Sequence, residues 1–201
     1  MVTIVYVHLK GKVTDMLKTF KAIIIVLSVS FLLTGCQNRK KEIQLESLCN
    51  TRGDYQYGKL EWESSPEQVE QMLGITLGDP AESSNVKIYT VVDAFVLNQS
   101  KATLVCEFKE GKLATVSFLI FPMEEEREKV WTQTAEALKA EYGDKEAVIR
   151  TSESEELQIV TEDTYYLWEN NQDQHTTLQL FKLVVNEEFK YIGLTVSRLD
   201  Q

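Results

Sequence analysis

The chain is poor in the side chains that do chemistry. Its 201 residues hold two histidines, His8 and His175, and three cysteines, Cys36, Cys49 and Cys106. His175 ends the polar run Asn170-Asn171-Gln172-Asp173-Gln174-His175. A Ser/His/Asp or Cys/His arrangement would therefore rest on one loop residue, and no catalytic role is assigned. A zinc site wants several Cys or His at short spacing, and the chain offers none. Glu169, Asn171 and Asp173 alternate as calcium ligands might be spaced, but the loop lacks the glycine at position six and the acidic twelfth ligand of an EF-hand. A hairpin turn accounts for it better. Acids are plentiful, with 31 Asp and Glu, yet no two are set apart as a glycosidase pair. The expectation is a protein without cofactor, metal or catalytic residues.

Cys36 is the exception. Lys18 and Lys21 precede an apolar run from Ala22 to Leu33, and Leu33-Thr34-Gly35-Cys36 follows directly. A positive start, a short apolar stretch and small residues before a break form a secretory leader, whereas a spanning helix needs about 20 apolar residues. Leu33-Thr34-Gly35-Cys36 resembles the lipobox of bacterial lipoproteins. That resemblance implies a diacylglyceryl group on the Cys36 thiol, cleavage before Cys36, and a membrane partner reached through the lipid. Residues 1–35 are then a signal peptide. Met16 is its expected true start, because Lys10, Lys12 and Asp15 extend the leader beyond need. A signal anchor, or export without lipid, is the alternative. Arg39, Lys40 and Lys41 follow the anchor, where each basic residue near an anionic bilayer contributes about 1 kcal/mol; a solvated tether with incidental charge reads equally well.

Net charge is −10, and the first 35 residues contain four Lys against one Asp, so the remainder carries −13. Phosphate backbones need clustered cations, so no nucleic-acid partner is expected. The acidic excess concentrates beyond Met123, where eight basic residues face eighteen acidic ones. Such a surface attracts cationic partners or is simply a solvated face. Once Cys36 carries lipid, Cys49 and Cys106 remain. Export permits a bridge between them, but Leu104, Cys106 and Phe108 share one side of an alternating run, which favours two free thiols.

The elements that must position these residues follow from punctuation and period. Residues 36–60 are polar and weakly patterned, a tether with room for a first strand. Ser65-Pro66-Glu67-Gln68 starts a helix, with Ser65 and Gln68 forming a capping box, and Gly74 stands where a left-handed cap would end it. Strands are predicted at Val86–Val92, Ala94–Leu97, Ala102–Phe108 and Lys112–Phe121, with a Lys109-Glu110-Gly111 hairpin. A longer helix spans Glu124 to Tyr142, and its three leading glutamates suit the positive end of the dipole. Strands return at Tyr165–Trp168, Thr176–Val185 and Tyr191–Leu199, with Ser152 to Glu156 read as an acidic connection. Tyr165 and Trp168 point to opposite sides of one strand, which makes them candidates for an interaction surface, although core packing also explains them.

This order of elements predicts an α+β fold with two duplicated helix-plus-sheet units, at 61–122 and 123–201, and helices packed on the sheet faces. The run Ser64-Ser65-Pro66-Glu67-Gln68-Val69-Glu70-Gln71-Met72-Leu73-Gly74, with Gly78-Asp79-Pro80 and Phe108-Lys109-Glu110-Gly111-Lys112-Leu113, resembles small envelope lipoproteins of the outer-membrane-assembly type. It is also similar to the β-lactamase-inhibitor-protein-like fold, whose members duplicate a helix-plus-four-strand unit. Ile75-Thr76-Leu77 separates the helix end from the Gly-Asp-Pro turn, a departure from that pattern. The resemblance spans about a quarter of the chain and implies an architecture and a habit of binding proteins. The functional expectation is a lipid-anchored, extracytoplasmic, non-enzymatic interaction module of the cell envelope with an envelope protein as partner. The alternatives are an inhibitor-like modulator of envelope enzymes, or an envelope hydrolase that uses carboxylates.

Overall fold

The computed structural model describes residues 40–154, 159–170 and 175–199. The leader, Met16 and Cys36 lie outside the described residues, as do Asn171 and Asp173 of the candidate calcium loop.

Ser65 caps the first helix, α1 (Pro66–Leu73), as its sequence predicts. Its hydroxyl accepts from the Gln68 N–H, the Gln68 side chain accepts from the Ser65 N–H at 2.8 Å, and Gly74 closes the helix at φ 57°. The left-handed conformation at Gly74 costs a glycine little because it has no Cβ. The second helix, α2 (Arg127–Tyr142), is preceded by a 3-10 turn at Glu124–Glu126, so the three glutamates stand just before the helix proper.

Nine strands form one sheet: β1 (Lys41–Glu42), β2 (Ala81–Ser83), β3 (Val86–Leu97), β4 (Ser100–Lys109), β5 (Lys112–Phe121), β6 (Val148–Ser154), β7 (Ile159–Asn170), β8 (Thr176–Val185) and β9 (Glu188–Arg198). Their order is β1-β3-β4-β5-β9-β8-β7-β6, with β2 also on β3. β1 runs parallel to β3 and every other pairing is antiparallel. Tight turns at Asn98-Gln99, Glu110-Gly111 and Asn186-Glu187, all with positive φ, join neighbouring strands. That geometry matches the twist of the flanking strands.

The expected α+β fold of duplicated units with helices packed on the sheet faces is corrected by this architecture. Strand accounts for 51% of the described residues and helix for 20%, which makes the fold sheet-dominated. A helix followed by strands does occur twice along the chain, but β5 pairs with β9 from Thr115↔Ser197 to Ile120↔Ile192. This junction merges all the strands into one continuous mixed sheet. Hydrophobic period reports which residues share a face but not which distant strands pair, so the junction lies beyond its reach.

One main core lies on one face of the sheet. Leu104, Phe118 and Leu194 meet Val69 and Leu73 of α1 and Val130, Ala135 and Leu138 of α2 there. Residues 41–60, read from the sequence as a tether, add Ile43, Leu48, Tyr55, Tyr57 and Leu60 to the same core. Tyr57, Phe95 and Phe118 pack edge to face with centroids 4.7–6.0 Å apart, an arrangement worth about 0.5–1.5 kcal/mol per pair beyond burial. Cys106 is buried here beside Leu104 and Phe108, and both it and Cys49 are free thiols.

Candidate functional site

In an antiparallel ladder, residues directly opposite one another share a face. Following the register across the strands separates the two sides of the sheet. The row Tyr89, Cys106, Val116, Val196, Leu178 and Trp168 faces the helices. The intervening rows form the opposite face, and neither helix places a residue in its hydrophobic cluster of Ile88, Val105 and Leu119.

This second face has two regions. Its middle is lined by short hydroxyl side chains: Ser117 and Thr195 hydrogen-bond at 2.9 Å, and Thr177 and Ser197 at 2.8 Å. Short side chains here leave the sheet surface low and polar. Beside them runs a string of rings. Phe121 lies 5.9 Å from Tyr191, Tyr191 lies 6.0 Å edge-on from Phe181, and Tyr165 stands opposite Phe181 in the register. Phe121 is the most open of these at 38% exposure. Gly193 makes the string possible, because a Cβ at that position would overlap Cζ, Cε1 and Cε2 of Phe181. Without a Cβ in the way, the Phe181 ring lies across β9 instead of standing up from β8.

Carboxylates border both regions. Burial pushes Glu107 above its usual range, and a hydrogen bond from Thr115 offsets this only in part. Asp163, paired with Leu183 across β7 and β8, is raised by burial and lowered to a lesser extent by Arg150. The Tyr191 hydroxyl is raised by burial first and by the charge of Asp163 second, which places the two groups in one environment. A face with apolar rings, hydroxyls and partly desolvated acids can bind through contact area and charge.

The loop from Cys49 to Trp62 frames a second, open groove of about 770 Å³. Asn50 organises it: its Oδ1 accepts from the N–H groups of Arg52 and Asp54, and its Nδ2 donates to Asp54 and Gln56. Asp54 is fully buried. Arg52 Nε and Asn170 Nδ2 approach it at 3.5 and 3.4 Å. The Cys49 thiol on this groove is held protonated by burial, then by Asp54 and Glu141. An activated cysteine nucleophile shows the reverse shift.

Of the two residues singled out from the sequence, Tyr165 belongs to the face opposite the two helices, where Arg150 sits 5.3 Å from its ring. Trp168 does not. It is buried in the core, and its Nε1–H donates to the Gly143 carbonyl at 2.8 Å. The structure therefore brings Tyr165 together with Phe121, Phe181 and Tyr191, which sequence reasoning missed as a group. The available signal was the mixed polar and apolar side of Lys112–Phe121, in which Thr115, Ser117, Leu119 and Phe121 alternate with the core residues. His175 adopts φ 47° in front of β8, and its carbonyl accepts from Leu199 N–H at 2.8 Å, a structural use of its backbone. Among the described residues, no three of His, Cys, Asp and Glu converge to hold a metal ion, and no helix is long and apolar enough to cross a membrane. Compared with protein-family models, characterised proteins and solved structures, the chain matches none of them.

Proposed function

We propose that this chain is a lipid-anchored, extracytoplasmic interaction module of the cell envelope, and that it binds a protein partner through the helix-free face of its sheet. The anchor part of this reading rests on Lys18, Lys21, the apolar run to Leu33 and Leu33-Thr34-Gly35-Cys36. The binding part rests on one observation: the ring string Phe121, Tyr191, Phe181 and Tyr165 sits on the side of the sheet away from the helices. Aromatic side chains on an otherwise polar surface supply large contact area at low entropic cost. Glu107 and Asp163, already partly desolvated, favour a partner that brings cations, in line with the charge of −10 for the whole chain.

The test is capture from detergent-solubilised membranes with three forms of the full chain. Wild type and Ile149→Ser should retain the same partner, because Ile149 is an exposed residue of β6 lying opposite Thr164, on the core-side register. Phe121→Ser should lose it. Capture by all three forms would remove the face from the reading. Size-exclusion chromatography of the purified chain adds a further outcome: a dimer abolished by Phe121→Ser would make the occupant a second copy and overturn the envelope-partner reading.

A further inference from the structure

The anchor and the fold lie very close together. Cys36 precedes β1 by only five residues, which span at most about 18 Å fully extended. From Lys41 onward the chain has no slack. Lys41 and Glu42 pair with Phe95 and Val96 of β3, the Ile43 N–H donates to Val96 at 2.9 Å, and the Lys41 ammonium donates to the Leu73 carbonyl at the end of α1. A cation there complements the negative end of a helix. It also fixes the first strand against two other elements.

We propose that the edge of the sheet formed by β1 and β2 on β3, with the C-terminal end of α1, rests on the lipid headgroup surface, and that the β6 edge faces water. This inference depends on the lipid-anchor reading above. Seven strand-to-strand steps separate β1 from β6, about 34 Å at ~4.8 Å each. A link of about 18 Å fixed at β1 cannot let the molecule stand on its β6 edge. Lys40 and Lys41 open the β1 edge, which also carries Glu42 and the exposed Glu82 of β2, so the short link and not charge sets this edge nearest the bilayer. Edge-down attachment leaves both the ring string and the exposed Val148, Ile149 and Val160 accessible from the aqueous side.

Position-dependent quenching tests the orientation. The full lipidated chain with Cys49→Ser is given one further substitution, Val92→Cys or Ile149→Cys, at positions 46% and 66% exposed. Val92 lies in the irregular stretch of β3 three residues before Phe95, the partner of Lys41. Buried Cys106 stays unlabelled. Each protein carries a thiol-linked nitrobenzoxadiazole and is reconstituted into phosphatidylethanolamine–phosphatidylglycerol vesicles containing a headgroup-nitroxide lipid. The expected result is loss of emission from the label at position 92 and unchanged emission from the label at 149. Equal quenching at both sites, stronger quenching at 149, or quenching at neither site in vesicle-bound protein would overturn the orientation alone. Flotation separates the two ideas: a wild-type chain that fails to float with vesicles, or a Cys36→Ala chain that floats equally well, overturns the anchor and the orientation together.

Discussion

Replacing Gly193 with alanine gives a sharp test of the ring string. The new methyl group would occupy the space of the Phe181 ring end, so the ring must swing away from β9. If the swing returns about 60 Å² to water, roughly a third of what an aromatic side chain carries, the cost is about 1.5 kcal/mol at ~25 cal/mol/Å². Removing a strand glycine works the other way and stabilises by about 0.5–1 kcal/mol, because the unfolded chain has less freedom to lose. Gly193→Ala alone should therefore destabilise by about 0.5–1 kcal/mol, the difference between these two effects. In a Phe181→Ala background no ring remains to displace, and the same substitution should stabilise by a similar amount. The sign reversal gives a coupling of about 1.5 kcal/mol, within the range seen for residues in contact. Equilibrium urea denaturation of the four proteins of the cycle measures it. Gly193→Ala having the same effect in both backgrounds would refute the proposed packing of Phe181 across Gly193.

Three other outcomes follow from groups described above. Ser65→Ala removes the hydroxyl arm of the capping box on α1 and should cost about 1 kcal/mol, read by urea denaturation. Glu107→Gln should raise stability at neutral pH, because burial holds the Glu107 pKa above its ordinary 4.5. The native state is then penalised for the charge once pH rises past that value, so the gain should vanish on acidification below it, while partner capture weakens at neutral pH. Burial also pushes Cys106 from 9.0 to about 12, and Tyr57 and Tyr142 from 10.0 to about 12. Each neutral form is favoured in the native state, so this contribution is complete below pH 9 and should be lost as pH rises from about 9 to about 12. Thermal melts across that window check it, and Cys106→Ala should flatten the first part of the fall.

Local chemistry made some elements legible and left others hidden. Ser65, Gln68 and Gly74 specify both ends of α1 through hydrogen bonds made within a few residues, and those are the bonds observed. The Glu110-Gly111 turn is equally local. β6 was missed because Val148–Ser154 lies at an edge of the sheet, where no apolar alternation is imposed by a core. The first part of β7 was missed for a related reason, since Glu162 and Asp163 interrupt the pattern of a strand that nevertheless pairs with β8 from Thr161 to Asn170. Residues 41–60 looked like a tether because their apolar residues follow neither period; they are buried by contacts with α2, β3 and β8, such as the Tyr55 N–H donating to Thr176 at 2.8 Å. Tyr165 could be nominated from its residue type, but its neighbours Phe181 and Tyr191 come from two other strands, and only the register brings them together. The expected lipid site is nominated by four consecutive residues, Leu33-Thr34-Gly35-Cys36, which lie outside the described residues.

The position of β9 has a consequence for how the chain is made. β9 follows every other strand of this sheet along the chain and lies between β5 and β8, so the sheet acquires its central member only when residues 188–198 arrive. Until then β3–β5 and β6–β8 are separate ribbons, with β5 and β8 unpaired on the sides that β9 joins. A premature stop before Glu188 should thus leave two sticky halves for quality-control proteases, however few residues are missing.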